Sequence, residues 1–433
     1  MEDFNSTEVK IRPVLLAALR QDQKQNLDYE LEELANLARA NRLDPVETYI
    51  QSLERPNPAT YFGKGKVEEL RIAVQTYDVD LIVTNDELSP SQIRNLEKAT
   101  DATVVDRTGL ILDIFAQRAQ TKVAKLQVQL ARLQYQLPRL RTSMSVSLDQ
   151  QTGAGGGGFT SRGAGETQLE QSRRRLTSEM VAIKKELAEL QKDSSVQSKK
   201  RQESEIPTVA LVGYTNAGKS TLMNQLLTRF GQGAESDQSK QVFEKDMLFA
   251  TLNTTIRQLT LPDKSQFLLS DTVGFVSKLP HHLVAAFEST LQEAAQADLL
   301  LQVVDISDPH YKEMMATTEE TLERLGIKDK AMITVFNKAD LADLSYPLVD
   351  GEGAITISAR DRTSQDELLK LVKKEIFADR QEVTLHVPFA DSAVVANILD
   401  HHELLAQEFD ENGTVLTVAL SSEEVQRYQK YIQ

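Results

Sequence analysis

Thr208-Val209-Ala210-Leu211-Val212, then Gly213-Tyr214-Thr215-Asn216-Ala217-Gly218-Lys219-Ser220, then Thr221-Leu222-Met223-Asn224-Gln225-Leu226-Leu227 reads as strand, glycine-rich loop and helix. That context is the one a phosphate-binding loop requires. The glycines allow backbone N–H groups to turn inward around phosphates, and the helix N-terminus adds partial positive charge. Lys219 is placed to reach the β- and γ-phosphates, and Ser220 to offer its hydroxyl to Mg²⁺. Gly213 through Thr221 are the expected phosphate contacts.

Working outward, the motifs that follow select the nucleotide. The apolar run Met332–Phe336 ends in Asn337-Lys338-Ala339-Asp340. A carboxylate at Asp340 can accept from N1–H and the 2-amino group of guanine, neither of which adenine offers. Sites built to bond a substrate group reject the analogue lacking it by roughly 10⁴ or more. Asn337 is expected at the other base edge, Lys338 over the ring, and Ser358-Ala359-Arg360 to close the pocket with the Ala359 N–H toward the base oxygen. Asp271-Thr272-Val273-Gly274 looks like the Asp-x-x-Gly of guanine-nucleotide switches. Asp271 would hold Mg²⁺ through water, and the Gly274 N–H would sense the γ-phosphate. Phe249-Ala250-Thr251-Leu252-Asn253 carries the remaining switch, with Thr251 taken as the Mg²⁺ ligand and Thr254 and Thr255 as alternatives. Phe275 stands where Ras-like switches carry a water-orienting glutamine, which predicts slow intrinsic hydrolysis. Asn216 sits where an asparagine helps bind K⁺ in other GTPases lacking that glutamine, so K⁺ is a second candidate cation.

The chain has 433 residues, room for about three domains, and is 40% hydrophobic with a net charge of −15. No apolar run approaches the roughly 18 residues of a membrane span. The N-terminal residues lack the blocks of a signal peptide, and the absence of cysteine excludes disulfides and thiolate metal sites. Six histidines show no ligand spacing; the pair His281-His282 reads as surface. The cytoplasm is the default address, with peripheral association at a membrane left open, and a monomer is expected. Charge is unevenly spread. Residues 116–175 hold ten Lys/Arg against three Asp/Glu, whereas from Gln381 onward there are nine acids and two bases. A basic segment on an acidic body suggests one directed contact with a phosphate backbone.

The expected fold class is α/β with four parts. Residues 1–112 form a small N-terminal α/β domain, with strands at Val14–Leu19, Val79–Val83 and Thr103–Val105 and helices at Leu27–Ala40 and Pro90–Thr100. Residues 113–200 form a long antiparallel helical arm. Val123, Leu126, Leu130, Leu133, Leu137 and Leu140 make one apolar stripe; Leu169, Leu176, Met180, Ile183, Leu187 and Leu190 make the other. Its first helix is expected to run about 27 residues, roughly 40 Å. Its tip is the glycine-rich stretch Gly153–Phe159, and Arg118, Lys122, Arg162, Arg173, Arg174 and Arg175 are the candidate RNA contacts. Residues 206–378 form a doubly wound P-loop GTPase domain. Residues 380–433 form a short α+β domain with strands Val383–Val387 and Val415–Leu420 and helices Ser392–Leu405 and Ser422–Tyr431. Thr60–Lys66 bears glycine and lysine but lacks phosphate-loop spacing, and reads as a surface turn.

The chain resembles the HflX family of GTPases. The resemblance is carried by Gly63-Lys64-Gly65-Lys66-Val67-Glu68-Glu69-Leu70, Leu88-Ser89-Pro90-Ser91-Gln92, Asp106-Arg107-Thr108 with Asp113–Ala119, and Gly165-Glu166-Thr167-Gln168-Leu169-Glu170 with Arg173-Arg174. It implies a ribosome-associated GTPase that binds the large subunit near the peptidyl-transferase centre through the arm and its tip, and that splits stalled or idle ribosomes under stress. It also implies Ser220 and Thr251 as Mg²⁺ ligands. Two departures stand out. Gly163-Ala164-Gly165-Glu166 replaces the family's Gly-Pro-Gly-Glu, giving up a fixed φ, and Ser172 replaces an Asp before the paired arginines, removing a negative charge. Two rival readings are an ATP-driven RNA remodeller with a second nucleotide site around Gly63 and Gly65, and a GTP-gated scaffold for a protein partner.

Overall fold

The computed structural model describes residues 11–22, 26–140, 160–202, 206–231, 255–278, 293–327, 330–351, 353–402 and 404–432. The chain divides into two compact units. One comprises Met1–Ser195 with Met247–Leu252 and Ser277–Glu288; the other comprises Val196–Asp246, Asn253–Val276 and Ser289–Gln433.

The first unit is built on a four-stranded sheet of β1 (Arg12–Arg20), β2 (Leu43–Ser52), β3 (Leu81–Thr84) and β4 (Thr103–Asp106), in the order β2-β1-β3-β4 and parallel throughout. The unbroken apolar run Val14–Leu19 is fully buried, as a central parallel strand requires. Sequence reading missed β2. Its Asp44, Pro45 and Glu47 suit an edge, where a missing N–H and exposed charge are tolerated. The crossovers are α1 (Leu27–Ala40), α2 (Lys64–Thr76) and α3 (Pro90–Thr100). Pro90 and the Ser89/Gln92 capping box fix the start of α3. α4 (Arg107–Arg118) begins at Asp106, whose buried carboxylate caps the Gly109 N–H at 2.9 Å. Leu88 N–H, the Tyr135 hydroxyl and Arg139 also donate to Asp106, at 3.1, 2.7 and 2.8 Å. Asp106-Arg107-Thr108 thus joins sheet and helices.

The helical region corrects one expectation. The first long helix is α5 (Lys122–Gln136), only 15 residues, followed by a 3-10 turn at Leu137–Arg139 that accommodates Pro138. Ala119 leaves helical geometry and Thr121 caps α5 through the Ala124 N–H, so the pattern restarts there. α6 (Thr160–Gln202) runs 43 residues. Leu130 and Leu133 pack on Ile183 and Leu187. The pairs Lys122–Glu186 and Gln129–Glu179 run in opposite directions along the two helices, so α5 and α6 are antiparallel as expected.

The second unit carries a seven-stranded sheet of β5 (Thr208–Val212), β6 (Thr255–Thr260), β7 (Gln266–Asp271), β8 (Leu299–Asp305), β9 (Ala331–Asn337), β10 (Leu348–Val349) and β11 (Ile355–Thr356). Its order is β10-β11-β9-β8-β5-β7-β6, with β6 and β10 antiparallel at the edges. α7 (Lys219–Phe230), α8 (Tyr311–Arg324) and α9 (Arg362–Ile376) are its principal described helices. Apolar residues of six strands, with Leu222, Met223 and Leu226 of α7 and Leu368, Leu369 and Val372 of α9, make one continuous core.

The C-terminal sheet has the order β12-β14-β13, with β12 (Gln381–Pro388), β13 (Leu404–Phe409) and β14 (Gly413–Leu420) antiparallel. α10 (Ser392–His401) stops short of the expected Leu405, and the residues beyond it become β13. The signal overlooked was Asn412-Gly413: Asp410 accepts from the N–H groups of both in a hairpin turn. α11 (Ser422–Arg427) is capped by Ser421 with Glu424 and followed by a 3-10 turn at Gln429–Tyr431.

Candidate nucleotide site

The phosphate loop runs from the end of β5 to the first residues of α7, at the carboxyl edge of the sheet where open α/β folds bind ligands. Two glycines are required by geometry. At Gly213, φ is +139°, and a Cβ would lie 2.2 Å from the Val303 carbonyl; at Gly218, φ is +93°, and a Cβ would lie 2.3 Å from Asn337 Nδ2. Lys219 is buried, and its ammonium donates to the carbonyls of Gly213 and Tyr214 at 2.9 and 2.6 Å. Burial pushes its pKa down to about 8, with the Asp271 carboxylate pulling the other way. The Ser220 hydroxyl donates to Asp271 Oδ2 at 2.8 Å, so the two expected Mg²⁺-side groups are brought together. Thr215 Oγ1 is buried without a hydrogen-bond partner among the described residues. Such a group suits a polar ligand in the loop.

The Asp-x-x-Gly segment lies on the loop. Thr215 N–H donates to the Phe275 carbonyl at 2.8 Å, and Phe275 N–H to the Gly213 carbonyl at 3.1 Å. Gly274 sits so near that a Cβ would be 2.8 Å from Thr215 Cα and 3.0 Å from Lys219 Nζ. The Thr272 hydroxyl donates to the Leu211 carbonyl at 2.7 Å, and Val273 and Phe275 are buried.

The base side is braced by Asn337. Its Nδ2 donates to the Ala217 carbonyl and its Oδ1 accepts from the Ala359 N–H, both at 2.9 Å. Sequence reading put Asn337 and the Ala359 N–H against the base; here they bond each other, so Asn337 ties the phosphate loop to the Ser358-Ala359-Arg360 loop. Ala339 N–H donates to the Ile357 carbonyl at 3.1 Å, bringing the two base-side loops together. Lys338 adopts a left-handed φ of 64° and pairs with Asp305 at 2.7 Å. Asp340 and Arg360 are exposed, and Asn216 is exposed with a φ of 62°. Asp305 was missed. Its signal was available: a carboxylate ending the apolar run Leu299–Val304, beside the strand that ends in Asn337.

Phe249, Ala250, Thr251, Leu252 and Asn253 lie outside the described residues, as do the glycine-rich tip and His281-His282. Arg162 falls in α6, but its side chain is outside what is described. Arg173, Arg174 and Arg175 are exposed on α6, and Arg174 pairs with Glu170 at 3.1 Å. Of the other bases in the positive segment, Arg132 pairs with Asp113, Arg139 with Asp106, and Lys122 with Glu186. Gly63, from the rival site, starts α2 and donates to Gln51 Oε1 at 2.9 Å.

A phosphate loop on one side of the Asn337 brace, and a loop carrying the Asp340 carboxylate on the other, is the arrangement of a P-loop GTPase. Comparison with known proteins narrows this. Residues 28–116 match the model described as "GTP-binding GTPase N-terminal", 118–201 "GTP-binding GTPase Middle Region", and 208–338 "50S ribosome-binding GTPase". The chain is 43% identical to GTPase HflX of Lacrimispora saccharolytica, over 96% of this chain and 95% of that one. It is 40% identical to GTPase HflX of Caldanaerobacter subterraneus, over 98% and 94%, and 35% identical to that of Escherichia coli, over 89% and 88%. The chain belongs to the HflX family of GTPases.

Proposed function

We propose that this GTPase binds the large ribosomal subunit in its GTP state, hydrolyses GTP when the ribosome completes its active site, and splits stalled or idle ribosomes under stress. The observation that carries the reading is Phe275. It is buried, both its backbone groups are engaged by the phosphate loop, and its side chain cannot orient water. A GTPase so built needs its catalytic complement from outside, and the family description names a ribosomal partner. Mg²⁺ fits the hard oxygen donors Ser220 and Asp271, which would hold it with the nucleotide phosphates; such sites use one or two protein oxygens. When bound, the ion neutralises charge developing on the phosphates. Asn216 is the candidate K⁺ contact. The exposed Arg173, Arg174 and Arg175 supply a face for rRNA phosphate.

GTP turnover by the purified protein, alone and with saturating large subunits, tests the reading, with Lys219→Ala as control. Strong stimulation abolished by the substitution is expected. Normal GTP binding without stimulation would refute ribosome activation. By linkage, GTP must also tighten subunit binding; equal affinity with GDP and a GTP analogue would exclude the switch.

A further inference from the structure

Resting on the subunit binding proposed above, we infer that residues 341–349, which follow Asp340 and end in the edge strand β10, are a docking face for a basic protein of the large ribosomal subunit and not for its rRNA.

Five of the fourteen large apolar side chains exposed among the described residues fall in these nine positions: Leu341, Leu344, Tyr346, Leu348 and Val349. Leu341 is 69% exposed and Leu348 58%. Exposed apolar residues scattered singly are ordinary, whereas a concentration of them marks an interaction surface. None of the five joins the core of the seven-stranded sheet, which takes its residues here from Ile355, Ile357 and Ala359.

The backbone of the stretch is pinned at both ends. Leu341 N–H donates to the Lys338 carbonyl at 2.9 Å, and Ala342 N–H to that of Ala339 at 3.2 Å. At the far end Asp350 N–H donates to the Ala354 carbonyl at 3.0 Å, and Ala354 N–H returns a bond to Asp350 Oδ1 at 2.8 Å. Leu348 and Val349 pair with Thr356 and Ile355 at the edge of the sheet. Natural edges are commonly blunted by charge; this one presents two apolar side chains. A face already held in place loses little freedom on binding.

Charge selects the occupant. Residues 339–359 hold four acids, Asp340, Asp343, Asp350 and Glu352, and no Lys or Arg. Carboxylates repel phosphate, so rRNA is a poor match for this face. A protein that lies on rRNA carries Lys and Arg to neutralise phosphate. Such a protein, offering apolar side chains among its cations, complements an apolar face edged with carboxylates.

The test uses the full chain with the photocrosslinker benzoylphenylalanine in place of Tyr346 or Leu348. It is loaded with a non-hydrolysable GTP analogue, mixed with purified large subunits, pelleted and irradiated. Crosslinking to a Lys/Arg-rich segment of a subunit protein is expected. Crosslinking to rRNA alone, to a second copy of the chain, or to nothing while the complex pellets normally would overturn the inference. Failure of the parent chain to pellet would instead refute subunit binding itself, and this partner with it. In the same pelleting assay Leu344→Ser/Leu348→Ser should weaken subunit binding about tenfold or more. Its affinity for the GTP analogue in solution should stay at the parental value, which reports that the variant is folded. Asp343→Asn, whose side chain tolerates the left-handed φ of 51°, should also weaken subunit binding. Against rRNA phosphate the lost carboxylate would strengthen it. Parental affinity in the double variant, or tighter binding by Asp343→Asn, would count equally against the face.

Discussion

Asn337 Nδ2 donates to the carbonyl of Ala217 at 2.9 Å, so the residue expected to read the base also holds the phosphate loop. Its other amide atom takes the Ala359 N–H, and the side chain is buried. Asn337→Ala would strand two buried backbone groups, at about 1–3 kcal/mol each. The substitution should lower the melting temperature of the nucleotide-free protein as well as weaken GDP binding. Gly218→Ala drives a Cβ into the same amide and should do comparable damage. Normal unfolding with only GDP binding lost would show that Asn337 serves the ligand and not the scaffold.

Lys219 gives a pH dependence with a definite sign. Its pKa falls to about 8 by burial, below the ordinary 10.5. Between those values the unfolded chain binds more protons, so stability rises with pH across that window and the burial penalty is fully present below about 8. A bound phosphate favours the charged form and raises the pKa again. Above pH 8, nucleotide binding should therefore take up a proton, and affinity should fall with pH by at most about tenfold per unit. Calorimetric titration of GDP in buffers of different ionisation enthalpy at pH 8.5 would detect the uptake. Lys219→Arg, which stays protonated, should abolish it.

Phe275→Gln should not restore Ras-like hydrolysis. The side chain at this position is buried, and its backbone is fixed to Gly213 and Thr215. A glutamine placed there meets apolar surroundings rather than the attacking water, and an unpaired buried amide costs about 1–3 kcal/mol. Single-turnover assays should show a less stable protein with an unaltered basal rate. A large rise in that rate would mean the segment reorients freely in the free protein.

The sequence was most legible where local chemistry and burial agree. β1 shows as an unbroken buried run, and Pro90 with Ser89 and Gln92 marks α3 to the residue. The phosphate loop and the Asp-x-x-Gly declare themselves because Gly213, Gly218 and Gly274 sit where a Cβ would clash. Legibility failed where tertiary context decided. β2 is polar because it is an edge, and β13 lies where helical residues run on after α10. Within the site, motif spacing placed Asn337 near Ala359 but could not show that they bond each other. Nor could it show that Asp305, from another strand, would meet Lys338.

Asn216 offers a test of the monovalent cation. It is exposed in the phosphate loop with a left-handed φ of 62°. Basal and ribosome-stimulated hydrolysis should both be faster in KCl than in NaCl at equal ionic strength, and Asn216→Ala should erase the difference. Equal rates in the two salts for the parent protein would remove K⁺ from the site.

Arg173, Arg174 and Arg175 stand on the exposed side of α6, where, among the described residues, Arg174 pairs with Glu170. Exposed pairs of this kind contribute about 0–1 kcal/mol, so reversing all three charges should leave folding and GTP binding by the free protein nearly untouched. Binding to large subunits is a different matter if these side chains meet rRNA phosphate. Each lost contact removes a released counterion, and the slope of log affinity against log salt should flatten by about 0.7–0.9 per contact. Filter binding of the GTP-analogue complex to large subunits at several salt concentrations measures that slope. A parallel line, displaced or not, would place the phosphate contacts elsewhere on the chain.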